Sequence, residues 1–268
     1  MRAIDTLPRE QCIELKSADL AAQGFDEGLR GVHTSRTMML AELENVLERL
    51  PAGISPAAVR AAIVDGNILG KATRSGRKNS AVKLINLYSF EPEKPLFAGF
   101  RTLWMESSRS RPVLAILLAQ CRDAVLRAGA QLILAAPIGA AVTKEQFYQS
   151  LLSGFASRYA ETTLQSTTRN VAASWRQSGH LTGNDPILRA KAPADFHALA
   201  FAVFIGYLRG LRGQVILASD WVRLLDFEPA ELEAALAEAH RHGLITGRKI
   251  GDVIDLKPGP HLPGGDAG

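Results

Sequence analysis

Apolar residues recur along most of this chain with the period of helices that bury one face. Between Thr37 and Leu50 they fall at Leu40, Leu43, Val46, Leu47 and Leu50, and Pro51-Ala52-Gly53 ends the run. Ser55-Pro56 then reads as an N-cap followed by a first-turn proline, with Ala58, Val59, Ala62 and Ile63 as the buried stripe. The polar segment from Gly66 to Lys78 predicts a loop, after which Asn79 caps a short helix with Ala81, Leu84, Ile85 and Tyr88 facing inward. Two further stripes follow, one around Phe97, Phe100, Leu103 and Trp104 and one from Val113 to Leu126.

Beyond the Pro137-Ile138-Gly139 break, Thr143-Lys144-Glu145-Gln146 has the form of a capping box, and its helix continues through Phe147, Leu151 and Leu152. A longer helix is predicted from Glu161 to Gln177, burying Leu164, Thr168, Val171 and Trp175 and closed by Ser178-Gly179. The last stretch places a strongly apolar helix at Phe196 to Leu208, a short run around Trp221 to Leu225, and a helix from Pro229 to His242 stopped by Gly243. Two β-capable runs separated by Gly251-Asp252 follow. Helix, helix, helix, hairpin is the order of a winged helix. Trp175 to Leu181 also parallels Ala239 to Leu244, as in a diverged helix-turn-helix repeat. The fold class expected is mainly α, a bundle-like domain with helix-turn-helix or winged-helix-like modules and a small C-terminal β-hairpin.

Four segments are delimited: an N-terminal extension (1–34), a helical domain with a basic loop (35–136), a helical domain with tandem modules (137–256) and a Pro/Gly-rich flexible tail (257–268). The hydrophobic fraction of 47% and charged fraction of 22% are those of an ordinary globular chain. Cys12 and Cys121 stand alone, so a reducing, cytoplasmic setting is expected, without disulfide, metal or cofactor. Asp5, Glu10 and Glu14 break any secretory-signal layout, and the longest uncharged run, Ala128 to Thr143, is too short to span a membrane. Phosphate-loop, hydrolase-elbow and zinc-protease motifs do not occur, so catalysis is not expected, although carboxylates gathered from distant segments around magnesium would escape such a search. His180, His240 and His242 read as cations near helix ends rather than as ligands.

The net charge of +4 is mild, but its distribution is uneven. Lys71, Arg74, Arg77, Lys78 and Lys83 stand with no acid between Asp65 and Glu91, interleaved with Thr73, Ser75 and two glycines. Cations, hydroxyls and a helix start are what a phosphate backbone is gripped with, though a loop that merely keeps the protein soluble has the same composition. Arg169 and Arg176 lie seven residues apart on one face of the Glu161 to Gln177 helix, where Gln165 and Arg158 extend the surface. Such a face suits the major groove or simply water. The Pro229 to His242 helix instead carries Glu231, Glu233 and Glu238, preceded by Glu228, which would repel phosphates and suit a protein contact, while Arg248 and Lys249 in the hairpin could touch DNA.

The run Ile63-Val64-Asp65-Gly66-Asn67-Ile68-Leu69-Gly70-Lys71, the Thr73-Arg74-Ser75 tract and the block from Arg169-Asn170 through Ser174-Trp175-Arg176-Gln177-Ser178-Gly179-His180-Leu181 resemble the BrxA-like accessory proteins of BREX phage-defence islands, over about Ser35 to Leu256. The resemblance implies a small cytoplasmic, all-helical protein with helix-turn-helix-like parts. It would bind double-stranded DNA and serve a multi-subunit defence system whose enzymatic work belongs to partner subunits. The C-terminal region is longer than that family leads one to expect. Charge and spacing, rather than the resemblance, nominate the seven cations as DNA contacts, with binding expected to be mostly sequence-independent and to weaken with salt.

Overall fold

The computed structural model describes residues 12–29, 31–250 and 253–265, and the Gly251-Asp252 turn lies outside that set. The protein is mainly α. In chain order the described residues form α1 (Ser17–Gln23), α2 (Leu40–Arg49), α3 (Pro56–Val64), α4 (Arg74–Tyr88), α5 (Pro95–Glu106), α6 (Arg111–Arg122) and α7 (Ala124–Ala135). There follow β1 (Ala141–Val142), α8 (Lys144–Phe155), α9 (Glu161–Gln177), β2 (Leu181–Thr182), β3 (Ile187–Arg189), α10 (Phe196–Leu208), α11 (Gln214–Leu217), α12 (Asp220–Arg223), α13 (Pro229–Arg241), β4 (Ile245–Ile250) and β5 (Val253–Pro258). No helix among the described residues is long and apolar enough to cross a membrane.

Local chemistry accounts for most boundaries. Ser55 accepts from Ala58 N with Pro56 in the first turn of α3, and Thr143 and Gln146 cap the start of α8 reciprocally. Two boundaries differ from the pattern. The cap of α4 is Thr73, whose hydroxyl accepts from Gly76 N at 3.0 Å, so the expected basic loop is already helix from Arg74 and Asn79 lies inside it. The apolar run from Val113 to Leu126 is broken at Asp123, whose carboxylate takes the N–H groups of Val125 and Leu126 and starts α7. A side chain that satisfies two orphan donors outweighs continuation of the previous helix.

One core runs from Leu20 to Leu262 and includes residues on both sides of position 137. Buried α10 lies at its centre, packed on α5, α6, α13 and β5, and Phe201 meets Phe100 with ring centroids 5.9 Å apart. Neither flank is loose where it is described. Phe25 and His33 are buried, and Leu262 is 3% exposed, beyond the expected start of a tail at 257. Gly259 permits this, because its N–H bonds Leu244 O at 2.9 Å and a Cβ there would meet Gly243 O at 2.2 Å.

The expected C-terminal hairpin is present as β4 paired antiparallel with β5 from Ile245↔Pro258 to Ile250↔Val253. A second, unexpected sheet joins β1, β3 and β2 in that order, with Val142↔Ile187 and Thr182↔Leu188 in register. Its strands are two or three residues long, too short for a period-two pattern to show in the sequence. Each hairpin follows a run of helices: α7, β1, α8 and α9 precede β2–β3, and α10, α11, α12 and α13 precede β4–β5.

Candidate nucleic-acid interface

α4 and α9 carry the seven cations nominated as DNA contacts except Lys71, which stands just before the cap of α4. The two helices share the Val32–Thr34 turn as a neighbour. At α4, Arg74 and Lys78 are exposed, while Lys71, Arg77 and Lys83 are half-buried. Lys71 pairs with Glu42 at 2.9 Å and Arg74 with Asp65 at 2.9 Å, the latter with both side chains 63% exposed, where an ion pair is worth little. Arg77 donates from Nη1 to Val64 O at 3.0 Å and so closes the end of α3. Lys78 and Lys83 have no ion-pair partner among the described residues. The first turn of α4 holds no acid, so Arg74, Arg77 and Lys78 crowd the positive end of the helix dipole. That placement opposes helix stability and favours an approaching anion.

On α9 the buried side is Leu164, Thr167, Thr168, Val171, Ala172, Ser174 and Trp175, leaving Glu161, Thr162, Gln165 and Arg169 exposed in one stripe. Arg176 continues the stripe but is only half exposed, and its Nε is buried without a partner, so it is less free than its spacing implied. Lys144 and Arg158, near the two ends of α8, are exposed. Lys144, Arg158, Arg169 and Arg176 meet no carboxylate among the described residues. Between α8 and the first half of α9 lies an open cleft of about 360 Å³ lined by Lys144, Glu145, Tyr148, Glu161, Gln165 and Arg169.

What holds α9 in place was not apparent in the sequence. His33, fully buried, sets Nδ1 2.8 Å from Asp123 Oδ2 and Nε2 2.9 Å from Ser174 Oγ. Ser174 Oγ also accepts from Met38 N at 2.8 Å, Asn170 Nδ2 donates to His33 O at 2.9 Å, and Gln177 Nε2 donates to Thr37 Oγ1 at 3.2 Å. Asn170, Ser174 and Gln177 thus bind the 31–40 strap along one stripe of α9. Gly31 lets the strap approach, since a Cβ there would lie 2.4 Å from Asp123 Oδ1. Burial disfavours the Asp123 carboxylate, but His33 and the N–H donors outweigh it and hold its pKa below the usual value. The order serine, histidine, aspartate is that of a hydrolytic triad. With all three side chains sealed from solvent, Ser174 is here the hub of a clamp.

The end of the motif around Trp175 is likewise structural. His180 is fully buried between Ser178 Oγ and Leu224 O, each 2.8 Å from a ring nitrogen. Burial pushes its pKa down to about 3 against the pull of the Leu224 carbonyl, so it is neutral and not the helix-end cation expected. Arg189, 3% exposed, ties β3 to Asp226 at 2.5 Å and to Ile133 O at 3.0 Å. These buried polar residues were missed because their partners lie up to 141 positions away.

α13 precedes the β4–β5 hairpin as α9 precedes β2–β3. Its exposed positions include Ala230, Glu231, Glu233, Ala234 and Ala237. The side chains of Arg248 and Lys249 lie outside the described set. Among the described residues no three His, Cys, Asp or Glu side chains gather as a metal ion requires. A comparison with known protein families finds no matching family model, and a comparison with curated proteins finds no relative.

Proposed function

We propose that the protein is a non-catalytic, double-stranded DNA-binding accessory protein of a BREX-like phage-defence system, working in the cytoplasm beside other subunits. The observation that carries the DNA reading is the α8–α9 surface, where four cations without acid partners border one solvent-facing stripe on a helix of the β1–α8–α9–β2–β3 unit. A hairpin following two helices, with a short strand before them paired to its second arm, supports a winged-helix reading, in which α9 would be the helix that enters the major groove. The start of α4 adds a second cationic surface for phosphates through Lys71, Arg74, Arg77, Lys78 and Lys83. The defence assignment rests on the resemblance of the 63–71 and 169–181 segments. The acidic, alanine-rich face of α13 supports a second role as a docking surface for a partner subunit.

The two roles separate by charge reversal. Arg74→Glu, Lys78→Glu and Lys83→Glu together, which spare the Arg77 contact to α3, lower duplex affinity and reduce its dependence on salt while the circular dichroism spectrum is unchanged. Unaltered binding would remove the α4 surface from the interface and leave the α8–α9 surface to carry it; a wild-type chain that binds no duplex at low salt would favour the scaffold.

A further inference from the structure

Resting on the duplex-binding reading above, the geometry points to α9 as a base-reading helix. Gln165 recognises an adenine and Arg169 a guanine in the major groove, adding a sequence preference to the phosphate-driven affinity.

Side-chain freedom is the first ground. The guanidinium of Arg169 is exposed and meets no carboxylate among the described residues, so its fork is available for the paired contact to guanine O6 and N7. The amide of Gln165 donates only to Glu161 Oε1, at 3.3 Å, and can turn to the N6 and N7 edge of adenine. Spacing is the second. Four residues advance about 6 Å along the helix axis, close to two base steps of about 3.4 Å, so the pair can address positions two steps apart in one groove. One turn further on, Ala173 offers no bulk to hold the helix away from the base edges.

Rigidity is the third ground, because base reading requires a helix held in fixed register. The clamp of Asn170, Ser174 and Gln177 on the 31–40 strap and the buried Trp175 fix α9 on its inner side. Lys144 and Arg158 stand beside the same surface to take phosphates, which position the protein without reading sequence. On α13 the exposed face carries Glu231 and Glu233 and no Arg or Gln before Arg241 at its end, whereas on α9 the one exposed acid, Glu161, lies in the first turn beside Gln165 and Arg169, so base reading falls to α9.

The test is selection of bound duplexes from a randomised pool by the full chain, followed by sequencing and by titration of the selected and a scrambled duplex. The wild type enriches a motif containing a guanine and an adenine. Arg169→Ala abolishes the guanine preference and Gln165→Ala the adenine preference, each lowering the selected-to-scrambled affinity ratio at least about fivefold. Thermal melts of both variants match the wild type. Arg74→Glu with Lys78→Glu weakens both duplexes alike and leaves the ratio intact. Binding without enrichment, or a motif unchanged in both α9 variants, overturns base reading and leaves duplex binding standing. No binding to any duplex at low salt overturns both.

Discussion

Replacing Asp123 by Ala removes at once the N-cap of α7 and the anionic partner of His33. The cap alone is worth about 1 kcal/mol, and leaving the buried His33 ring nitrogen and backbone N–H without their carboxylate partner costs about 1–3 kcal/mol each. One carboxylate makes both sets of contacts, so the terms overlap and the expected loss is about 4 kcal/mol. At about 2–4 °C per kcal/mol for a domain approaching this size, the melting temperature falls by roughly 8–16 °C. Thermal and urea denaturation followed by circular dichroism measure it. Asp123→Asn, which keeps an acceptor for the cap but loses the charge, falls between. The pH dependence has a definite sign. The folded-state pKa of Asp123 is lowered, so its contribution is fully present above the unfolded value near about 3.9 and is lost as pH falls through the folded one. The gap between Asp123→Ala and the wild type therefore persists at neutral pH and narrows only in acid. A variant within about 1 kcal/mol of the wild type at pH 7 would refute the clamp.

Other changes probe separate parts of the fold. Trp175→Ala, which hollows the core beneath α9, costs about 3–5 kcal/mol in urea denaturation, whereas exposed Arg169→Ala changes stability by less than about 0.5 kcal/mol. His180 is held neutral with a pKa of about 3 against an ordinary 6.5. The unfolded chain therefore takes up the proton first, and stability falls as pH drops from 6.5 towards 3; His180→Gln flattens that slope in acid melts. Gly99→Ala would set a methyl group 2.4 Å from Phe204 Cε1 and costs about 1–3 kcal/mol by overpacking the α5–α10 contact.

The helices that could be read from the sequence are those with a dense apolar stripe and a chemical start signal. α3 and α8 begin where Ser55-Pro56 and Thr143-Gln146 place them, and α9 and α10 follow from their apolar stripes, with Asp195 capping α10. Errors arose where one side chain decides between neighbouring conformations, as Thr73 does for α4 and Asp123 for the break before α7. Arg169 was legible as a free cation because its freedom needs no distant partner. Arg77, Arg176 and His180 were not, since burial against Val64, the α9 neighbourhood and Leu224 depends on tertiary packing. The His33–Asp123–Ser174 clamp joins positions 90 and 141 residues from His33, a relation that no local period encodes.

The most direct test of the account is a fluorescence anisotropy titration of the full chain against labelled duplex DNA at two salt concentrations. The account predicts saturable binding at low salt that weakens steeply at the higher concentration, as phosphates neutralised by the α4 and α8–α9 cations release their counterions. No change in anisotropy at low salt would contradict it.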